Sequence, residues 1–258
     1  MTLHLDFETY SPLDLKTVGA YNYTEHPEFE VLLIGYKVGS GPVEVADNTA
    51  EGLPNKLRQL LEDERVTIEA HNANFERLCL KNGLGIELPP ERFRCSMLHA
   101  AYCGLPLDLD RATKALGLDE VKAEGTNLIS YFCKPCKPTL TNGGRTRNLP
   151  HHAPEKWEEF KRYCAQDVVS EACLTSRLAK YPVPARELTL YCLDQRINDR
   201  GVKIDRQLGR HALEINEIAR QKAAQRYKKL TRIDNPNSLP QLKRWLSEQL
   251  GQVVEDLT

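Results

Sequence analysis

Leu3 to Phe7 is a short apolar run, and an extended backbone there puts Asp6 and Glu8 on one shared face. Val31 to Val38 (VLLIGYKV) has the apolar and β-branched content of a strand, and Val43 to Ala46 is a weaker one. Gly39-Ser40-Gly41-Pro42 lies between them as a turn, so the first three strands read as an antiparallel meander. Leu53, Leu57, Leu60 and Leu61 then repeat at helical spacing through Glu64. Val66 to Ala70 returns to a buried strand, and a helix follows from about Asn74, carrying Phe75, Leu78 and Leu80. Three strands, helix, strand, helix and later helices predict a mixed α/β sheet with helices packed on it.

From Thr126 to His152 the periodicity weakens. KPCKPTLTNGGRTRNLPHH is rich in Pro, Gly, Lys and Arg and predicts a long surface loop. Pro154 to Lys180 predicts one long helix, with Pro154 and Glu155 suited to its first turn. Pro182 and Pro184 close that segment, and a boundary is placed there, dividing residues 1–182 from 183–258. Arg186 to Leu230 reads as helical with a break near Gly201. Ser238-Leu239-Pro240-Gln241 has the form of a capping box opening a last helix with Leu242, Trp245 and Leu246.

Composition narrows this picture only a little. The 258 residues carry a net charge of −1, which neither favours nor excludes nucleic acid, because local patches matter more than the sum. Such a patch exists: between Arg196 and Arg232 there are 11 Lys or Arg against 4 Asp or Glu. No run reaches the roughly 20 apolar residues of a membrane span, so no membrane partner is expected. The start, MTLHLDFETY, lacks a secretion signal, and the 8 scattered cysteines are expected as reduced thiols in a cytoplasm.

The candidate chemistry lies in three separated acidic segments. Asp6 and Glu8, two apart on a strand, can reach one metal ion. Tyr163 and Asp167, four apart in the long helix, sit one above the other on one face. Asn72-Ala73-Asn74-Phe75-Glu76 occupies a strand-to-helix junction, where free N–H groups and a fixed strand end often frame a site. Taken singly, each has an ordinary explanation: surface acids on a strand, a surface Asp beside a packed Tyr, a first-turn acid favoured by the helix dipole. Together they supply four carboxylates and a phenol. Carboxylates brought within a few ångströms repel, and divalent cations relieve that repulsion. Hard ions such as Mg²⁺ take oxygen ligands, and two of them about 3.5–4 Å apart can serve both sides of a phosphodiester.

These three segments together resemble the 3′–5′ proofreading exonuclease domain of family A DNA polymerases, most of all the phage-type members. Asp6-Phe7-Glu8 is similar to the family's Asp-x-Glu. Asn72 to Glu76 is similar to Asn-x-x-(Phe/Tyr)-Asp, and Tyr163 to Asp167 to Tyr-x-x-x-Asp. The resemblance covers about residues 1–182, and Tyr163, preceded by Arg162, implies the tyrosine subclass. It implies a ribonuclease-H-like mixed sheet flanked by helices. It also implies two Mg²⁺ or Mn²⁺ ions and a DNA 3′ end, single-stranded or frayed, as the partner. By position, Asp6 would bridge the ions, Glu8 and Asp167 would hold the first, and Glu76 would serve the second. Tyr163 would orient the attacking water, and Thr9, Asn72 and Phe75 would hold the terminal nucleotide. Glu76 departs from the usual Asp, and misplacing a carboxylate by about 1 Å can cost about 10²-fold in rate.

The remaining piece also fits. Asp194 to Val202 resembles the lead from exonuclease into the polymerase thumb, and Asn235-Pro236-Asn237-Ser238 a further thumb signature. Residues 183–258 are thus expected as a short all-helical, thumb-like segment contacting duplex. Palm and fingers have no counterpart here, so no nucleotide polymerisation is expected, and a polymerase region is a potential partner. A bacterial or phage-infected cytoplasm is the expected location. Within the loop, Lys134, Lys137, Arg145 and Arg147 are candidate phosphate contacts. Cys133-Lys134-Pro135-Cys136 with His151-His152 falls short of a zinc site: one CxxC is half a site, and adjacent histidines seldom share an ion. Two competing functions remain: a catalytically weak DNA-binding module, and an exoribonuclease with the same tyrosine-type motifs.

Overall fold

The computed structural model describes residues 1–118 and 125–257. A five-stranded sheet has the order β3-β2-β1-β4-β5. Its strands are β1 (Thr2–Tyr10), β2 (Glu30–Val38), β3 (Val43–Asp47), β4 (Thr67–Ala70) and β5 (Phe93–Cys95). The first three pair antiparallel, as the meander predicts, while β4 and β5 run parallel to β1. A mixed sheet with this order, covered by helices, is the ribonuclease-H-like fold that the resemblance implies.

Alternation along β1 divides its work. Leu3, Leu5 and Phe7 enter one core with α2 (Asn55–Glu62) and α3 (Asn74–Leu84), through Leu57, Leu61, Cys79 and Leu80. The opposite face packs on α6 (Thr126–Phe132) and α7 (Pro154–Leu178), through Leu32, Leu33, Phe132, Trp157, Phe160 and Cys164. The pairing of β1 with β2 passes from Leu33 to Val31 between Glu8 and Thr9, so Leu32 is an extra residue. A bulge of this kind re-aims side chains, and this one sits beside Glu8.

Several elements were not expected. α1 (Leu15–Thr24) escapes periodicity because Gly19, at φ +77°, interrupts it. β5, α4 (Ser96–Tyr102) and α5 (Leu109–Ala115) are too short for a repeat to show. The expected loop over 126–152 is corrected at its start: α6 is helical and buries Leu128 and Phe132 against α7. The rest is held by its own bonds: Cys136 N–H donates to Thr146 O at 2.7 Å, and Asn142 Nδ2 to Lys137 O at 2.8 Å. All eight cysteines are free thiols.

The chain divides into two compact units, Met1–Asp199 and Arg200–Thr258. Helix α8 (Ala185–Arg200) therefore lies almost wholly within the first unit, where its Tyr191 packs on the first core. Its Asp199 accepts from Arg77 Nη2 at 2.6 Å and from the Tyr21 hydroxyl at 2.8 Å. The second unit contains α9 (Arg206–Thr231) and α10 (Leu239–Leu250). Asp205 caps α9 by accepting from Gln207 and Leu208 N–H. Ser238 takes the N-cap position of α10, but its side chain makes no cap bond, so the expected capping box does not form. Among the described residues, no helix is long and apolar enough to cross a membrane.

Candidate active site

Even-numbered residues of β1 face α7, and the buried stripe of α7 includes Tyr163, Asp167 and Glu171 at intervals of four. Carboxylate oxygens of Asp6, Glu8 and Asp167 consequently lie within 4.8 Å of one another. Two glycines permit this approach. Gly35, directly opposite Asp6 on β2, has Val168 and Cys164 of α7 so close that an added Cβ would stand 2.8 Å from Val168 Cγ2. A Cβ on Gly125, at the start of α6, would fall 2.1 Å from the Tyr163 ring. Its backbone (φ −109°) does not require glycine, so the ring is the reason for one there.

Glu76 comes from the first turn of α3 and is 3 % exposed. Its Oε2 has no hydrogen-bond partner. Burial, and after it the charge of Asp6, pushes its carboxyl well above the ordinary carboxylate range. An unsatisfied buried oxygen is costly, and a cation would satisfy it. Tyr163 is also buried, and its hydroxyl is bonded to Asp167. Burial first, then Asp167 and Glu8, drive its pKa far upward, so it stays a neutral phenol that donates. An all-oxygen donor set with a surplus of negative charge fits hard divalent cations.

Beside Glu8 lies a pocket of about 380 Å³. Thr9, Phe75 and Lys134 line it, three residues that sequence alone singles out. Leu13, Lys16, Tyr23 and Ile129 also line it, and carry no motif that would have marked them. Thr9 Oγ1 and the Tyr23 hydroxyl are 3.2 Å apart, and the Tyr23 ring lies 6.1 Å from that of Phe75. Cys133 closes the wall, its thiol donating to Glu8 Oε2 at 3.9 Å.

The other candidates are placed elsewhere. Asn72 is exposed at φ +65°, a left-handed conformation that Asn tolerates, and shapes the turn into α3. Lys137 is exposed on the loop. Arg145 donates from Nε to Asn148 Oδ1 at 2.8 Å. Arg147 pairs with Glu30, and its guanidinium lies 3.7 Å over the Tyr10 ring. His71 bridges Ser96 Oγ (3.0 Å) and Leu107 O (2.7 Å). Among the described residues, the CxxC and the paired histidines form no metal-like cluster.

No family model matches the chain. It is 46 % identical over 259 residues to a DNA polymerase of Bacillus phage SP02, an alignment covering 99 % of this chain and 40 % of that polymerase. The chain therefore spans well under half the length of this relative. Among solved structures it is similar to Escherichia coli RNase D (TM-score 0.48, 18 % identity, 76 % of this chain and 45 % of that one). It is also similar to Brucella melitensis NrnC (TM-score 0.46, 14 % identity, 69 % and 72 %).

Proposed function

We propose that residues 1–182 form a metal-dependent 3′–5′ exodeoxyribonuclease of the tyrosine subclass, releasing 5′-monophosphates, and that residues 183–258 form a helical, thumb-like segment. The principal support is the gathering of Asp6, Glu8 and Asp167 within 4.8 Å, with neutral Tyr163 against them. The phage DNA polymerase relative favours DNA as the substrate.

Asp6, Glu8, Asp167 and Glu76 would hold two divalent cations, Mg²⁺ or Mn²⁺. When bound, such ions supply Lewis acidity to the phosphodiester and charge for its transition state. The protein's own groups do the rest. The Tyr163 phenol, held by Asp167 and seated on Gly125, directs its hydroxyl toward the attacking water. The terminal nucleoside enters the pocket beside Glu8, between Phe75 and Ile129, with Thr9 at its edge. Lys16 and Lys134 at the rim meet the phosphate backbone. Frayed ends are preferred, because a paired end must first be unstacked at a cost of a few kcal/mol.

The test is shortening of a 5′-labelled DNA primer in Mg²⁺ or Mn²⁺ by wild type and Asp6→Ala, with a ribose-containing primer in parallel. The expected result is a ladder of shortened DNA from wild type alone. A primer left at full length by wild type in both metals refutes the proposal. Faster loss of the ribose primer would refute the assignment to DNA.

A further inference from the structure

The residues that β1 and α7 turn toward each other form successive rungs. Alternate β1 residues, Glu8, Asp6 and His4, advance in steps of about 6.7 Å. Every fourth residue of α7, Tyr163, Asp167 and Glu171, advances in steps of about 6 Å. The near-match of the two repeats lets more than one rung close. One rung holds Asp6, Glu8 and Asp167. One step away, His4 Nδ1 lies 2.6 Å from Glu171 Oε2, both residues buried. Glu69 Oε2 of β4 is 3.7 Å from the same nitrogen, and Thr175 Oγ1 donates to Glu171 Oε1 at 2.8 Å.

The two rungs differ in how their charge is met. The trio of Asp6, Glu8 and Asp167 is made of acidic side chains alone, with no base among them. The neighbouring rung contains its own base and closes by a hydrogen bond between protein atoms. We propose that the His4–Glu171 pair is a positioning clasp. It sets how far α7 lies along β1, and thereby the separation of Asp167 from Asp6 and Glu8. The hydrophobic driving force that brings helix and sheet together is non-directional, whereas a buried hydrogen bond fixes the separation of two named atoms. His4 and Glu171 act through the placement of α7 on β1, and so of the carboxylates that those two elements carry.

This inference rests on the metal-dependent nuclease reading, and one experiment separates the two. Mn²⁺ binding is titrated by electron paramagnetic resonance on wild type, His4→Ala, His4→Asn and Glu171→Met, alongside primer shortening and thermal melts. Wild type should bind Mn²⁺. His4→Ala should raise the half-saturating Mn²⁺ concentration at least about tenfold, with the KM for primer within about twofold. His4→Asn, whose amide nitrogen can stand where Nδ1 stands, should restore most of that loss. If His4→Ala does not fold, Glu171→Met, which keeps the length of the side chain and removes the acceptor, is read the same way, with the same direction expected. Variants that melt lower but bind Mn²⁺ like wild type would reduce the pair to packing and overturn the clasp. Anomalous diffraction from Mn²⁺ at His4, Glu69 and Glu171 would also overturn it, making the cluster a cation site. A wild type that binds no Mn²⁺ overturns the nuclease reading and the clasp together, before any variant is compared.

Discussion

Substituting Gly35 by alanine adds one methyl group at the point where α7 passes closest to the sheet. That methyl would stand 2.8 Å from Val168 Cγ2, 2.9 Å from Cys164 Sγ and 3.1 Å from Cys164 O. Carbon atoms rest at about 3.5–4.0 Å, so relief requires a movement of about 0.7 Å or more. Side-chain adjustment offers little: Val168 is β-branched and held to one rotamer in a helix, and Cys164 is fully buried. The third contact is to the backbone of α7 itself, so the helix must retreat, and it carries Asp167 and Tyr163. Overpacking of this kind costs about 1–3 kcal/mol of stability. A displacement approaching 1 Å at the reacting centre costs about 10²-fold in rate. Single-turnover shortening of a 5′-labelled primer at saturating Mn²⁺ should therefore slow by about 10- to 100-fold, in a protein that still folds by circular dichroism. A Gly35→Ala protein that melts lower yet cleaves at the wild-type rate would refute the link between this close approach and carboxylate spacing.

Two further outcomes follow from the buried groups. Glu76 has a folded-state pKa above its unfolded value. Its favourable contribution is therefore fully present below the unfolded pKa of about 4.3 and is lost as pH rises through the folded one. In EDTA, Glu76→Gln should melt higher than wild type at about pH 8 and lose that advantage toward about pH 4, while gaining less from added Mn²⁺. A lower melting temperature for the variant at the alkaline end contradicts this account. Tyr163→Phe should lower kcat by about 10- to 100-fold with KM little changed, since it removes a donor from an otherwise intact site. The shape of its pH–rate profile between about pH 6 and 9 should match wild type, because the phenol stays neutral there. A lost alkaline limb in the variant would show that Tyr163 ionises.

Local order was readable from the chain because it depends on neighbours in sequence. Alternation in β1 put Asp6 and Glu8 on one face, and four-residue spacing did the same for Tyr163 and Asp167. The meander, α3 and α7 were likewise predicted close to where they lie. Short or interrupted elements were missed. α1 is broken by Gly19, and α6 has 7 residues, too few for a helical repeat to stand out.

Distances between elements, by contrast, depend on how the chain packs in three dimensions. Nothing near Gly35 or Gly125 in sequence marks them as the places where α7 and the Tyr163 ring come closest. Arg147 is paired because the fold brings Glu30 and Tyr10 to it, and His4 meets Glu171 across a separation of 167 residues. Which groups share a face is legible from residue order alone, since the period of a strand or helix is a property of the backbone. How closely those faces meet is set by close packing of residues far apart in the chain. That separation decides whether four carboxylates are surface charge or a site for cations.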